Sequence, residues 1–306
     1  MIEIVRAGPL ATVQDLGRPG WRDRGLSLCG ALDEFALQAG NLLVGNTSGA
    51  AGLEFTLGGA TLRFHADSCI AVTGTDADAQ LDGRAVHPWW RLRVRAGQTL
   101  KLAAPRERMR SYLAVTGGIN VPEALGSRST DLKAHFGGLD GRALRDGDCL
   151  PLIAGAALPS RAVGLRPPVW TPSVRALPGP EYDDFAADAR DAFWSNDWTV
   201  TPQSNRMGYR LAGPVLTREH GVELPSHGVL PGVVQVPPSG QPIALLADAQ
   251  TTGGYPKIAV VIHADLWKLA QLRLGARVRF VRCTQADAAT ALRDQQLLLN
   301  QMRNGL

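Results

Sequence analysis

Cysteine is scarce in this chain: four residues in 306, at Cys29, Cys69, Cys149 and Cys283, with no C-x-x-C pair among them. That spacing argues against a zinc ribbon and against a disulfide framework. Cys69, within Cys-Ile-Ala-Val, reads as a small core residue, and Cys29 lies between Leu28 and Gly30 with nothing beside it to mark a nucleophile. The six histidines show no H-E-x-x-H or comparable spacing, so no metal site is expected. Long apolar runs are also missing. Stretches such as Ile258–Ile262 fall far short of the roughly 20 residues a membrane-spanning helix needs. The N-terminus, MIEIVRAGPL, lacks the basic start and long apolar region of a secretory signal. A cytoplasmic protein without membrane contact is the expectation.

The generic catalytic signatures are absent too. There is no G-x-x-x-x-G-K-[ST] phosphate loop, no G-x-S-x-G nucleophile elbow, no dinucleotide fingerprint and no biotin attachment motif. A net charge of +4 invites the thought of nucleic acid, but the charge is thinly spread. Arg91, Arg93 and Arg95 alternate along a predicted strand, as do Arg106, Arg108 and Arg110, which places each trio on one solvated face. No aromatic residues interleave with them, so a phosphate-tracking groove is not expected.

What is present is a mainly β (α+β) pattern. Ala60–His65, Cys69–Gly74, Arg91–Arg95, Thr99–Ala103 and Ser111–Thr116 read as short strands, followed by Gly232–Val236, Ile243–Ala247, Lys257–His263 and Arg277–Arg282. Short strands at this density predict barrels or sandwiches rather than a doubly wound parallel sheet. A few peripheral helices are predicted at Ala31–Val44, Glu181–Trp194, Asp265–Leu272 and from Gln285 to about Met302. Four prolines between Pro159 and Ser173 mark the boundary. Two β-rich lobes follow, over 1–158 and 174–306, with 159–173 as a Pro-rich linker. Short echoes, such as Arg18-Pro-Gly-Trp-Arg22 against Arg206-Met-Gly-Tyr-Arg210, hint that the lobes are related.

The chemistry-bearing residues gather in polar, glycine-rich clusters. Val13-Gln-Asp-Leu-Gly-Arg-Pro-Gly-Trp21 holds Gln14, Asp15 and Arg18; Ser204-Asn-Arg-Met-Gly-Tyr-Arg210 holds Asn205 and Arg206. Between two apolar runs, Gln250-Thr-Thr-Gly-Gly-Tyr-Pro-Lys257 is far more than a hairpin turn requires. Glycine pairs expose N–H groups to an anion or a carbonyl oxygen, and Arg or Lys beside them suits a carboxylate, phosphate or developing oxyanion. Each cluster also has a scaffolding explanation. Asp15 and Arg18 suit a local ion pair, Asn205 and Arg206 suit turn carbonyls, and Lys257 suits an edge-strand charge. Gly126-Ser-Arg-Ser-Thr-Asp131 resembles a phosphate cradle, although a Ser/Thr-capped turn is the default.

Beyond these residue-level readings, Val13-Gln-Asp-Leu-Gly-Arg-Pro-Gly20, Gly40-Asn-Leu-Leu-Val-Gly-Asn46, Tyr112-Leu-Ala-Val-Thr-Gly-Gly-Ile119 and Leu125-Gly-Ser-Arg-Ser-Thr130 resemble blocks of a known family, as do Asn205-Arg-Met-Gly-Tyr-Arg-Leu211 and Gln250-Thr-Thr-Gly-Gly-Tyr-Pro-Lys-Ile258. This is the family of 5-oxoprolinase C subunits, also called allophanate hydrolase subunit 2 or the biotin-dependent carboxyltransferase family. The blocks run in family order over nearly the whole chain. The resemblance implies a cyclophilin-like β-barrel architecture and a component that works with other chains.

Three roles are implied. The first is the C subunit of an ATP-dependent 5-oxoprolinase, which hydrolyses 5-oxo-L-proline to L-glutamate with subunits A and B, the B-like chain being the most direct partner. Here the complex uses ATP at a site not identifiable in this chain, and the chain alone is expected to be inactive. The second is the carboxyltransferase subunit of a urea carboxylase-like enzyme, with biotin carried by a partner. The third is a non-catalytic regulatory subunit that antagonises a kinase inhibitor. A chain of this length without biotin carboxylase or carrier segments favours the first. For that chemistry Arg206, Lys257, Asp15 and Thr252 are the expected catalytic residues. Gln14, Arg18, Asn205, Thr251, Gly253, Gly254 and Tyr255 are expected to bind substrate. In this scheme Arg206 and Lys257 hold an anion, and the Gly253–Gly254 N–H groups meet an oxyanion.

Overall fold

The structure, a computed structural model, describes residues 1–219 and 224–306. The chain divides into two compact units. One comprises Met1–Arg18, Cys29–Pro168 and Leu298–Leu306; the other comprises Pro19–Leu28 and Val169–Leu297. The change at Pro168 falls inside the proline-rich segment. Two short pieces depart from a simple division into halves: 19–28 counts with the second unit, and the last nine residues count with the first.

In the first unit, two antiparallel sheets share one core. A six-stranded sheet runs in the order 149–150, 2–6, 61–64, 99–101, 80–81, 84–85, and a five-stranded sheet runs 10–14, 52–56, 110–115, 68–74, 91–94. Ile2, Ile4, Leu62, Phe64 and Leu100 from the first meet Val13, Phe55, Val72 and Leu113 from the second. The helix Glu34–Leu43 packs on strands 68–74 and 110–115, bringing Leu43 and Val44 against Cys69, Ala71 and Ala114. Those strands therefore bury every residue, and their sequences are continuous rather than alternating. The helix begins three residues later than its apolar period suggests, because the Asp33 carboxylate accepts the Ala36 N–H at 2.9 Å and so caps it.

The second unit is a closed seven-stranded barrel, in the order 173–178, 257–261, 233–235, 243–245, 208–212, 197–200, 277–282. All of its pairings are antiparallel except the closing one, where 173–178 runs parallel to 277–282. Closure removes the free edges that an open sheet would expose. Phe193, on the helix Ala187–Ser195, stacks on Phe280 of the closing strand at 4.7 Å between ring centres, and Trp198 and Tyr209 are also fully buried.

Three sequence expectations change here. The stretch Glu181–Trp194 is not one helix: a 3-10 turn at Tyr182–Asp184 gives way to extended Phe185, and the helix starts only at Ala187. Phe185 is completely buried, and its extended backbone breaks the helical path. The arginine trios are wet only in part: Arg93, Arg95 and Arg106 are exposed, whereas Arg91 and Arg110 are buried. Arg91 is buried and donates to the carbonyls of Arg161 and Leu43, while Arg93 donates to those of Pro159 and Leu158, so together they hold the proline-rich segment. Residues 105–109 form bends rather than strand, and Arg110 is buried 3.6 Å from the equally buried Glu54. The two units are also unlike in architecture: two sheets over a shared core against one closed barrel.

Candidate functional site

Thr252–Gly253 forms a two-residue strand that pairs with His227–Gly228. Val229 N–H donates to Thr251 O at 2.9 Å, and Val236 N–H donates to Pro256 O at 2.9 Å. Arg22 donates to the carbonyls of Val229 and Gln250, and the Ser27 hydroxyl donates to Ala249 O at 3.0 Å. The polar stretch 250–257 is thus a built loop, stitched on one side to the 227–229 ribbon and on the other to segment 19–28.

Lys257 is the first residue of its barrel strand and is 3% exposed. The path of the preceding chain explains its neighbours. Strand 173–178 pairs antiparallel with 257–261, and at its end Gly179 N–H donates to Ile258 O at 2.9 Å. Gly179 crosses so close that a Cβ there would lie 2.0 Å from Lys257 O, so only glycine fits. Two residues on, Glu181 Oε2 accepts both the Lys257 backbone N–H, at 2.9 Å, and Lys257 Nζ, at 3.3 Å. Lys257 Nζ also hydrogen-bonds His227 Nε2, and Glu181 Oε1 lies 3.6 Å from the same ring nitrogen. The other ring nitrogen, Nδ1, lies 2.9 Å from Pro225 O. A carboxylate, an amine and an imidazole therefore share one point at the barrel mouth, with the amine buried and the imidazole side chain 40% exposed.

Behind this group, Gln235 pairs in register with Lys257 and is 1% exposed. Its Oε1 accepts Gln250 Nε2 at 3.3 Å, while its own Nε2 has no partner among the described residues. A Cβ on Gly253 would sit 2.6 Å from that Nε2, so a larger residue there would displace the carboxamide. Tyr255 points elsewhere, onto an open groove of about 390 Å³ whose walls include Arg210, Pro237, Gln241 and Ile243.

Arg206 is buried, and its Nε and Nη2 bond the two oxygens of buried Asp248 at 2.9 and 3.0 Å. Its charge is met within the fold. Asn205 is exposed and caps its own turn, its Oδ1 accepting Met207 N–H at 2.8 Å. The second unit thus groups Thr251, Thr252, Gly253, Gly254 and Lys257 along one loop, and engages Arg206 with Asp248.

Gln14, Asp15 and Arg18 lie in the first unit. Asp15 is saturated: Oδ1 accepts Ser127 Oγ at 2.6 Å, Ser129 Oγ at 2.5 Å and Gly17 N–H at 2.8 Å, and Oδ2 accepts Arg128 N–H at 2.6 Å. The Ser-Arg-Ser turn that resembles a phosphate cradle therefore binds an internal carboxylate. Arg18 is fully buried, lies 4.5 Å over the Phe136 ring and donates through Nη2 to Ser129 O, leaving Nε and Nη1 without partners among the described residues. Gln14 donates to Thr12 Oγ1 and Thr130 O, and its Oε1 has no partner among the described residues.

Three residues of this site escape the sequence reading: Glu181, His227 and Gln235. Glu181 reads as a helix-start acid, and His227 is a single histidine with no motif around it. The signals that could have found them were Gly179 before Glu181 and the alternation that puts Gln235 inside a strand, and neither is specific. Among the described residues no three His, Cys, Asp or Glu side chains gather as a metal-binding group, and no helix is long and apolar enough to cross a membrane.

A family model described as carboxyltransferase domain, subdomain A and B, matches residues 24–282. The chain is 53% identical to the 5-oxoprolinase C subunit of Escherichia coli (strain K12), over 99% of this chain and 97% of that protein. It is 34% identical to a putative urea carboxylase of Emericella nidulans, over 98% of this chain but 25% of that protein. Among solved structures, the K. lactis urea amidolyase superposes with a TM-score of 0.92 at 28% identity, over 98% of this chain and 20% of that one. This chain spans about a fifth of that structure's length.

Proposed function

Because this chain belongs to the carboxyltransferase domain family, subdomain A and B, we propose that it is the C subunit of an ATP-dependent 5-oxoprolinase. The observation that carries the reading is the end-to-end likeness, at 53% identity, to a protein named as that subunit. In this reading the complex opens the lactam of 5-oxo-L-proline to L-glutamate, needs subunits A and B, works in the cytoplasm and is inactive when this chain stands alone.

The chemistry asks for a cation near the lactam oxygen and a group that moves protons as water adds and the C–N bond breaks. Lys257 fits the first role, with Thr252, Gly253 and Gly254 lining the same loop. Arg206 fits it less well, since Asp248 already takes its charge. In the first unit we assign an anionic partner to Arg18, whose Nε and Nη1 meet no partner among the described residues, with Asp15 holding the turn beneath it. The Ser-Arg-Ser turn does not suit the phosphates of ATP, because the Asp15 carboxylate occupies it, so no step here runs through ATP.

The test is reconstitution. This chain is co-expressed with its candidate A and B subunits, and glutamate release from 5-oxoproline and ATP is followed with and without it. Release that requires all three chains supports the reading; none from a well-assembled complex refutes it. A second reading, carboxyl transfer from carboxybiotin to urea, draws on the TM-score of 0.92 with urea amidolyase and is tested with a biotinylated carrier protein.

A further inference from the structure

We propose that the groove beside Tyr255 seats an extended, carboxylate-bearing segment of a partner subunit; the inference rests on the reading of this chain as one subunit of a complex. Three observations carry it, all within the barrel unit. The first is charge. Arg210 is exposed on the groove wall, and its backbone N–H and carbonyl are both held by the Ser204 hydroxyl. Its guanidinium meets no acceptor among the described residues, and no Asp or Glu among them lines the groove with it. The contrast with Arg206 is direct, since that guanidinium is closed by Asp248. An unpaired guanidinium beside apolar walls suits a carboxylate, which accepts its N–H donors in the guanidinium plane.

The second is the extent of the surface. Leu211, Pro237 and Ile243 give the groove apolar walls, Tyr255 stands 46% exposed, and the Thr201 hydroxyl has no partner among the described residues. Apolar surface continues past the groove. Val215 is 61% exposed and lies against the Ser239–Gln241 turn, where a Cβ on Gly240 would come 2.6 Å from Val215 Cγ1. A small molecule held in the groove of about 390 Å³ leaves Val215 uncovered, whereas a chain segment laid from Tyr255 past that turn covers both. Tyrosine and arginine around apolar side chains are also the residues that carry most of the binding energy at protein interfaces.

The third is the connection to the Lys257 site. Pro237 and Tyr255 face the groove, and each stands two positions from a residue of that site, Gln235 and Lys257. Val236 N–H donates to Pro256 O at 2.9 Å and ties the two stretches together. A segment seated on Tyr255 and Pro237 therefore bears on the loop that carries Thr252, Gly253 and Lys257, which gives this chain a physical reason to need a partner.

The test uses Arg210→Glu and Tyr255→Ala, with Arg293→Glu on the exposed face of the C-terminal helix as a charge control. All three side chains are exposed, so each Tm is expected within about 2 °C of wild type. Each protein is titrated by calorimetry against the purified candidate A and B subunits. We expect both groove variants to weaken Kd for one subunit by at least about 10-fold and the control by less than about twofold. A photo-crosslinker placed at exposed Gln203, on the groove wall, is expected to tag a segment of that subunit containing Asp, Glu or the C-terminal carboxylate.

A Kd within about threefold of wild type for either groove variant overturns the inference, as does a cross-linked segment without a carboxylate or a wild-type chain that binds neither subunit. Free 5-oxo-L-proline that binds the chain alone and is lost with Arg210→Glu also overturns it, assigning the groove to a small carboxylate. A wild-type complex that assembles through the groove but releases no glutamate refutes the 5-oxoprolinase reading instead and leaves the docking surface standing.

Discussion

Arg206 is the residue for which catalysis and scaffolding predict most differently. Its guanidinium is 4% exposed and Asp248 is 5% exposed, with Nε–Oδ2 and Nη2–Oδ1 contacts of 2.9 and 3.0 Å. At that burial, solvent does not screen the pair. Removing one partner leaves an uncompensated charge inside the barrel unit, at a cost of about 3–5 kcal/mol. Asp248→Leu and Arg206→Met are therefore each expected to destabilise by about that amount. For a folding unit of 150–250 residues each kcal/mol shifts Tm by roughly 2–4 °C, so the expected drop is about 6–20 °C.

Replacing both partners, as Arg206→Met with Asp248→Leu, removes the charges together, and buried pairs exchanged for apolar residues of similar volume are often neutral or stabilising. The double variant is expected to recover most of the lost Tm and to keep activity in the reconstituted complex. The assay is differential scanning calorimetry on the four proteins of the cycle, followed by glutamate release. If the double variant melts normally but is inactive, Arg206 acts on substrate and the structural reasoning is refuted. If the single variants cost under about 1 kcal/mol, the burial argument itself fails.

Two further predictions rest on particular contacts. Burial works to raise the Asp265 carboxyl, but the bonds from the Arg175 side chain and backbone and the charge of Lys268 outweigh it and hold the group below its usual value of 3.8. A lowered folded value stabilises above about pH 3.9 and is lost as pH falls through the depressed value, so Tm should drop on acidification below about pH 4, and Asp265→Asn should flatten that limb. Gly253→Ala would place its Cβ 2.6 Å from Gln235 Nε2 and push that carboxamide aside. Because the obstacle is the end of a flexible side chain, Tm should change little while activity falls roughly 10- to 100-fold; unchanged glutamate release would mean that the Gln235 position does not matter to the site.

The sequence determined the class of fold through local rules. Alternation and β-branched content placed nine short strands that the structure contains, and Arg277–Arg282 matches to the residue. Helical period and the glycine stop at Gly45 located Glu34–Leu43 to within three residues. The ordered blocks from Val13 to Ile258 pointed to the family, and the near-full-length likeness to a 5-oxoprolinase C subunit agrees with them. Of the site, the loop Gln250–Lys257 was legible because two apolar strands flank more polar and glycine residues than a turn requires.

What tertiary structure alone decided is which polar side chains have partners. Arg206 and Lys257 look alike in sequence, each a cation near a glycine. One is met by Asp248, 42 positions away, and the other by Glu181 and His227, at 76 and 30. Such pairings arise from barrel closure, and no local pattern encodes which strand end will meet which. In the two-sheet unit, Asp15 likewise fills the Ser-Arg-Ser turn from 112 residues upstream of Ser127. A sequence records which residues carry charge or hydrogen-bonding capacity, but only the closed fold shows which of them have spent it on each other.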